Sequence, residues 1–311
     1  MPCPCDLVIS LLGPTATGKS SLAVDLALRF DGEIVSADSR QVYRCMDVGT
    51  AKPTPEQRAA VPHHLLDVVD PDEDYNVARY QADAQAAIQS ILSRGKLPFL
   101  VGGSGLYLAA VMGELDLPIV GPDQTFRAQL EQEAREDGAE HLHRRLAQVD
   151  PAAAERIHPN NLRRVIRALE VHHFTGLPFS SFSRRNAPRP TPFRFLKIGL
   201  TAPREVLYRR IDRRVEEMMK RGLLEEVSQL LARGYTPSLK SMESLGYREL
   251  CAHLNGEISL EEAVQTFKRN TRRFAKRQFT WFRKTPDVHW FDITAPSLAA
   301  SISETIKSNH G

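Results

Sequence analysis

Short, almost unbroken apolar runs alternate along this chain with longer segments whose apolar residues recur every three or four positions. Leu7-Val8-Ile9-Ser10-Leu11-Leu12 is nearly continuous, as a strand covered on both faces must be. Glu33-Ile34-Val35-Ser36, Leu97–Val101 and Phe195–Leu200 have the same character, and His289–Ile293 is a candidate fifth strand. Between them, Ser20–Arg29 carries Leu22, Ala23, Leu26 and Ala27 at helical spacing. Val77–Arg94 is an Ala- and Gln-rich helix stopped by Gly95, after an irregular, Pro-rich passage from Pro53 to Pro71. Strands alternating with helices predict an α/β fold, a parallel sheet with helices on both faces.

The alternation stops between Pro118 and Pro192. Asp123–Asp137, Ala139–Val149 and Leu162–Phe174, the last capped by Gly176, read as helices with no strand between them. The expected organisation is a sheet domain of residues 1–117 and 193–311 with an all-helical insertion over 118–192. After Leu200 the chain is helical again. Ser259-Leu260-Glu261-Glu262 is a capping box that opens a helix running to about Arg283.

The loop after the first strand brings in chemistry. Gly13-Pro14-Thr15-Ala16-Thr17-Gly18-Lys19-Ser20 fits G-x-x-x-x-G-K-[ST] at every fixed position, with a strand before it and a helix after it. Such a loop turns successive N–H groups toward phosphate oxygens, and the helix N-terminus adds positive potential. Lys19 is expected on the terminal phosphates and the Ser20 hydroxyl in a Mg²⁺ shell. The fold is therefore expected to be P-loop NTPase-like. Two absences weaken a nucleotide-switch reading. Leu97–Val101 runs into Gly102-Gly103-Ser104 with no Mg²⁺-ordering Asp, and the chain has no Asn-Lys pair for guanine.

Ligands of such sheets sit at the carboxyl ends of the strands, which puts Asp38 near the outermost phosphate. There it can act as a general base, or it can cap the next segment or hold Mg²⁺ through water. Ser104 can orient an acceptor from the other side, or be purely structural.

The net charge of +3 conceals an uneven distribution. From Ala263 to Pro286 there are eight basic residues (Lys268, Arg269, Arg272, Arg273, Lys276, Arg277, Arg283, Lys284) and no acid. Arg144, Arg145, Arg156, Arg163, Arg164 and Arg167 form a second cluster. Each run can be a solvated helix face, but two of them beside a phosphate loop point to RNA or DNA. Cys3, Cys5, Cys45 and Cys251 have no CxxC spacing and offer no disulfide framework. The first apolar run is too short for a signal peptide or a membrane span, so a cytoplasmic, soluble chain is expected.

At this point the residues resemble a family. The glycine loop, Asp38-Ser39-Arg40-Gln41-Val42-Tyr43 and Met46-Asp47-Val48-Gly49-Thr50-Ala51-Lys52-Pro53 are similar to the bacterial tRNA dimethylallyltransferases. So are Gly102-Gly103-Ser104-Gly105-Leu106-Tyr107, Arg156-Ile157-His158-Pro159-Asn160, Gly246-Tyr247-Arg248 and Ala275-Lys276-Arg277-Gln278-Phe279-Thr280-Trp281. The similarity runs to about Trp290. The resemblance implies transfer of a prenyl group from dimethylallyl diphosphate to N6 of adenosine 37 in the tRNA anticodon stem-loop, with Mg²⁺. The glycine loop, which also fits an ATP-binding pattern, would then cradle a departing diphosphate. Asp38, Ser104 and Lys19 would carry the chemistry on a base extruded from its stack.

By the same resemblance, tRNA contacts fall to Asp38, Ser39, Arg40, Gln41, Ser104, Arg127, Arg163-Arg164-Val165-Ile166-Arg167 and Glu243-Ser244-Leu245-Gly246-Tyr247-Arg248. Arg273 and Arg277 are put forward as further diphosphate contacts. Ser104 stands where Thr is more frequent, and Glu243 where some members carry Arg. A monomer is expected. A small-molecule kinase, a prenyltransferase of free adenine nucleotides and a non-catalytic RNA-binding protein stand as rivals. None of the three gives work to both the basic runs and Asp38.

Overall fold

The computed structural model describes residues 6–115, 121–182 and 191–310. Cys3, Cys5 and the expected domain boundary at 117–118 lie outside them. Six strands make up one sheet: β1 Leu7–Leu12, β2 Gly32–Ser36, β3 His63–His64, β4 Leu97–Gly102, β5 Arg194–Thr201 and β6 Val288–Asp292. All neighbours are parallel, in the order β3-β2-β4-β1-β5-β6. The five strands expected from apolar runs are present. Two-residue β3 has no such run, and it is held in place where His64 Nε2 meets Glu33 Oε2 at 2.7 Å.

The helices of this unit are α1 Lys19–Arg29, α2 Pro55–Ala60, α3 Val77–Ser93 and α4 Gly105–Val111 before residue 112. Later in the chain come α10 Arg204–Lys220, α11 Leu223–Ala232, α12 Tyr247–Leu254, α13 Leu260–Phe282 and α14 Leu298–His310. Alternate strand residues such as Ile9, Leu11, Phe99 and Ile198 join Leu22, Leu26, Ile302 and Ile306 of α1 and α14 in the main core. Tyr80, Ala84, Ile88 and Ile91 of α3 are buried outside that cluster, where α3 meets β2 and β4. Both faces of the sheet are covered, which is why its strands lack the polar alternation of a half-exposed sheet.

The Pro-rich passage is ordered by one buried cation. Lys52 Nζ donates to Tyr43 O (2.6 Å), Asp47 Oδ1 (2.7 Å) and Asp67 Oδ1 (2.5 Å). A buried ammonium needs such a set of acceptors to offset its lost hydration.

The chain divides into two compact units, Met1–Val111 with Thr191–Gly311, and Met112–Pro190. The second is helical among its described residues: α5 Gln124–Asp137, α6 Ala139–Val149, α7 Pro151–Arg156, α8 Leu162–Thr175 and α9 Phe179–Phe182. Asp123 and Asp150 cap α5 and α7 by accepting from Phe126 and Ala153 N–H. Its own core gathers Leu130, Leu142, Leu146, Ile157, Val165, Ile166 and Leu169.

Candidate active site

The first glycine loop closes β1 onto α1. Gly18 is the N-cap of α1 at φ 85°, with no side chain capping the helix, and Ala16 sits at φ 65°. An uncapped N-terminus leaves its N–H groups available to an anion. Lys19 Nζ is folded back onto Pro14 O at 2.7 Å. Burial pushes its pKa down to about 7, with the Arg214 charge acting in the same direction and Asp38 against it.

Across the carboxyl edge of the sheet, β2 and β4 exit side by side. Ala37 N–H donates to Val101 O (2.7 Å) and Ser104 N–H to Ala37 O (3.2 Å). The approach requires Gly102, because a Cβ there would lie 2.0 Å from Ala37 O. The following turn is closed by Asp38 Oδ1, which accepts from Arg40 N–H at 2.9 Å; among the described residues no hydrogen bond reaches Oδ2. Ser104 Oγ accepts from Ser39 N–H (2.9 Å) and donates to Ser39 Oγ (3.2 Å). The two hydroxyl residues thus fasten the aspartate turn to the second glycine cluster.

These groups open on a cavity of about 960 Å³. Its polar wall includes Thr15, Asp38, Ser104, Arg214, Arg277 and Gln278, and its apolar wall Ile211, Val215, Met218, Phe267 and Phe274. The apolar wall comes from α10 and α13, which are tied by Lys268–Glu216 (2.6 Å) and Arg272–Asp212 (2.6 Å). Two residues of the basic run are therefore structural cations. Arg214 escaped the sequence reading because it lies in an ordinary charged helix, Arg209-Arg210-Ile211-Asp212-Arg213-Arg214. Burial lowers its pKa while Asp38 opposes the shift, so a desolvated guanidinium stands beside the glycine loop and the aspartate.

Several expected residues are brought to this cavity: Thr15, Asp38, Ser39, Arg40, Ser104, Glu243, Ser244, Leu245, Arg248 and Arg277. Others are not. Gln41 is buried, with its carboxamide donating to Thr50 O and Ala51 O and accepting from Ser36 Oγ, so it serves the loop rather than a base. Gly246 packs under the Phe267 ring, and fully buried Tyr247 gives its hydroxyl to Glu226 at 2.6 Å. Arg273 is exposed and does not line the cavity.

In the helical unit, Val165 and Ile166 are 0% and 3% exposed and belong to its core, so their side chains are closed to RNA. Arg127 and Arg167 both donate to the buried Glu170, at 2.7 and 2.5 Å. Burial alone would raise the Glu170 pKa; the arginines and Asp123 N–H outweigh it and hold the carboxyl below its usual range. Arg163 and Arg164, on the same helix, are exposed.

The IPP transferase family model matches residues 41–285, and the isopentenyl transferase model residues 7–67. The tRNA dimethylallyltransferase of Pelotomaculum thermopropionicum is 53% identical over 299 residues, 96% of this chain and 95% of that one. The protein of the same name from Roseiflexus castenholzii is 56% identical over 291 residues, 94% of each. Among solved structures, the full-length tRNA isopentenylpyrophosphate transferase of Bacillus halodurans aligns with a TM-score of 0.74 at 44% identity, over 98% of this chain and 97% of that one. A eukaryotic dimethylallyltransferase acting on tRNA aligns with a TM-score of 0.81 at 30% identity, over 98% and 79%.

Proposed function

The chain belongs to the IPP transferase family, and on that premise we infer the reaction its residues carry. It moves the dimethylallyl group of dimethylallyl diphosphate onto N6 of adenosine 37 in tRNA, giving N6-dimethylallyladenosine and diphosphate. The allylic C–O bond breaks as the N6–C bond forms. The N6 proton leaves to a base, and the electron pair of the broken bond leaves with the diphosphate.

One observation supports this division of labour above the others. Asp38, with an oxygen that no hydrogen bond from the described residues reaches, lines the same cavity as Thr15 of the glycine loop and Arg214. The exocyclic amine of adenine is a poor nucleophile because its lone pair is delocalised into the ring. Asp38 takes its proton, while Lys19, Arg214 and the loop N–H groups stabilise the departing charge. The apolar wall from α10 and α13 keeps water from the allylic carbon.

The donor set suits Mg²⁺ bound through substrate. Ser20 is exposed in the first turn of α1, the Asp38 charge acts on the neighbouring Lys19, and the described residues contain no cluster of three His, Cys or carboxylate groups. A Mg²⁺ ion usually takes one or two protein oxygens, waters and phosphate oxygens, and would supply charge neutralisation to the leaving group. Ser104 holds the aspartate turn and faces the acceptor. Arg163 and Arg164 approach the anticodon stem-loop. No described helix is long and apolar enough to cross a membrane, and Cys45 and Cys251 are free thiols.

Incubation with unmodified tRNA, labelled dimethylallyl diphosphate and Mg²⁺ is expected to place label in tRNA. Label in free AMP would support the smaller acceptor instead. Asp38→Asn should slow the transfer roughly 10²-fold or more while tRNA binding is largely kept. An active Asn variant removes Asp38 as the base.

A further inference from the structure

One side chain joins the two glycine loops, and the reaction as described leaves it without a task. Gln278, on α13 and only 6% exposed, accepts from Thr15 N–H through Oε1 at 2.9 Å. Its Nε2 donates to Gly103 O, also at 2.9 Å. The fit around it is tight. A Cβ on Gly103 would lie 2.5 Å from Gln278 Nε2, and one on Gly105 would lie 2.4 Å from Trp281 Cδ1, one turn further along α13. The second glycine cluster is glycine because α13 is seated on it.

Thr15 N–H belongs to the loop assigned above to the donor's diphosphate, and a phosphate oxygen that reached it there would compete with Gln278. Ser104, next to Gly103, fastens the Asp38 turn through Ser39. The carboxamide therefore bonds the donor loop on one side and the acceptor loop on the other. If phosphate takes Thr15 N–H, Oε1 is left as a buried acceptor on the wall of the cavity. Such an atom is unfavourable until a donor reaches it, and the exocyclic N–H of an incoming adenine is such a donor.

We propose that Gln278 is a positioning residue that couples the two substrates, so that an occupied diphosphate cradle strengthens binding of the acceptor base. This rests on the assignment of the Gly13–Ser20 loop to the donor diphosphate. The coupling meets the requirement that a ligand interact differently with the two arrangements it connects. It is also reciprocal: tRNA strengthens donor binding by the same factor.

The test uses the full chain, unmodified tRNA and an unreactive thiolodiphosphate analogue of the donor. In the wild type, saturating analogue should tighten the tRNA Kd by about tenfold, within the usual range of such couplings. Tightening of the analogue by tRNA should match it. Gln278→Met keeps the volume but makes neither hydrogen bond; its coupling factor should fall to about one while the analogue still binds alone. If that variant does not fold by circular dichroism, Gly103→Ala displaces the carboxamide from the other side and should lower the factor likewise. A wild-type factor of one, or a wild-type factor retained in the Met variant, overturns the proposal. Failure of the cradle assignment reads differently, as analogue affinity unchanged by Lys19→Met.

Discussion

At the scale of single residues, the site concentrates charge that water does not screen. Lys19, held near a pKa of about 7, is half neutral at that pH in the free protein. A diphosphate bound beside it would restore its charge. Donor binding should therefore be independent of this group below pH 7 and weaken above it, by up to about tenfold per pH unit, as each event takes up a proton. Calorimetry at pH 8 in two buffers of different ionisation enthalpy should register that uptake, and Lys19→Met should abolish it. The same depression affects folding. Between about pH 7 and the ordinary lysine value of 10.5 the unfolded chain binds the extra proton, so this group's contribution to stability rises with pH across that window. Equal proton uptake in wild type and Met variant would remove Lys19 as the titrating group.

At the scale of elements, loops become precise because distant helices reach into them. Glu226 on α11 accepts from three consecutive backbone N–H groups, Asp47 (2.9 Å), Val48 (2.7 Å) and Gly49 (3.1 Å), as well as from the Tyr247 hydroxyl. That carboxylate docks the Gly49–Thr50 wall of the cavity onto the start of α12, beside Ser244, Leu245 and Arg248. A carboxamide cannot accept from all four donors. Glu226→Gln should raise the tRNA KM about tenfold with the dimethylallyl diphosphate KM little changed, since bonds to charged groups are among the stronger ones. Steady-state kinetics with each substrate varied in turn checks this, and a parallel rise in both constants would mean general unfolding.

Elements are also where the limits of the sequence are clearest. Five of the six strands were legible from the sequence, β3 being too short to show a run, and the Ser259 capping box and the glycine stops gave helix ends within a residue or two. The glycine loop declared itself because its chemistry is local: eight consecutive residues perform it. Arg214, Gln278 and Glu226 were illegible for the opposite reason. Each acts on a segment far away in the chain, and nothing beside it in the sequence distinguishes it from a surface polar residue. Stretches matched as blocks misled in the same way. Val165 and Ile166 lie between Arg163, Arg164 and Arg167 in sequence, yet helical geometry turns them into the core.

At the scale of the whole molecule, a net charge of +3 is compatible with tight RNA binding only if cations are locally concentrated. Part of that concentration is internal: Arg145 pairs with Glu133, Arg127 and Arg167 with Glu170, and Lys268 and Arg272 with α10. In the helical unit, Arg163 and Arg164 are exposed on α8. Replacing both by Ala should weaken tRNA binding and reduce the slope of log K against log salt by ~1.5. Filter binding over a salt series measures it; unchanged affinity and slope would take α8 off the RNA-facing surface.

The link between Thr15 and Gln278 spans 263 positions. During synthesis on the ribosome the anion loop emerges well before α13, so the nascent chain must grow by 263 residues before the two can meet. A truncated product that stops short of α13 would keep a complete phosphate motif and several sheet strands, yet lack the clasp between its loops. Premature termination would then release a stub unable to report donor occupancy to an acceptor.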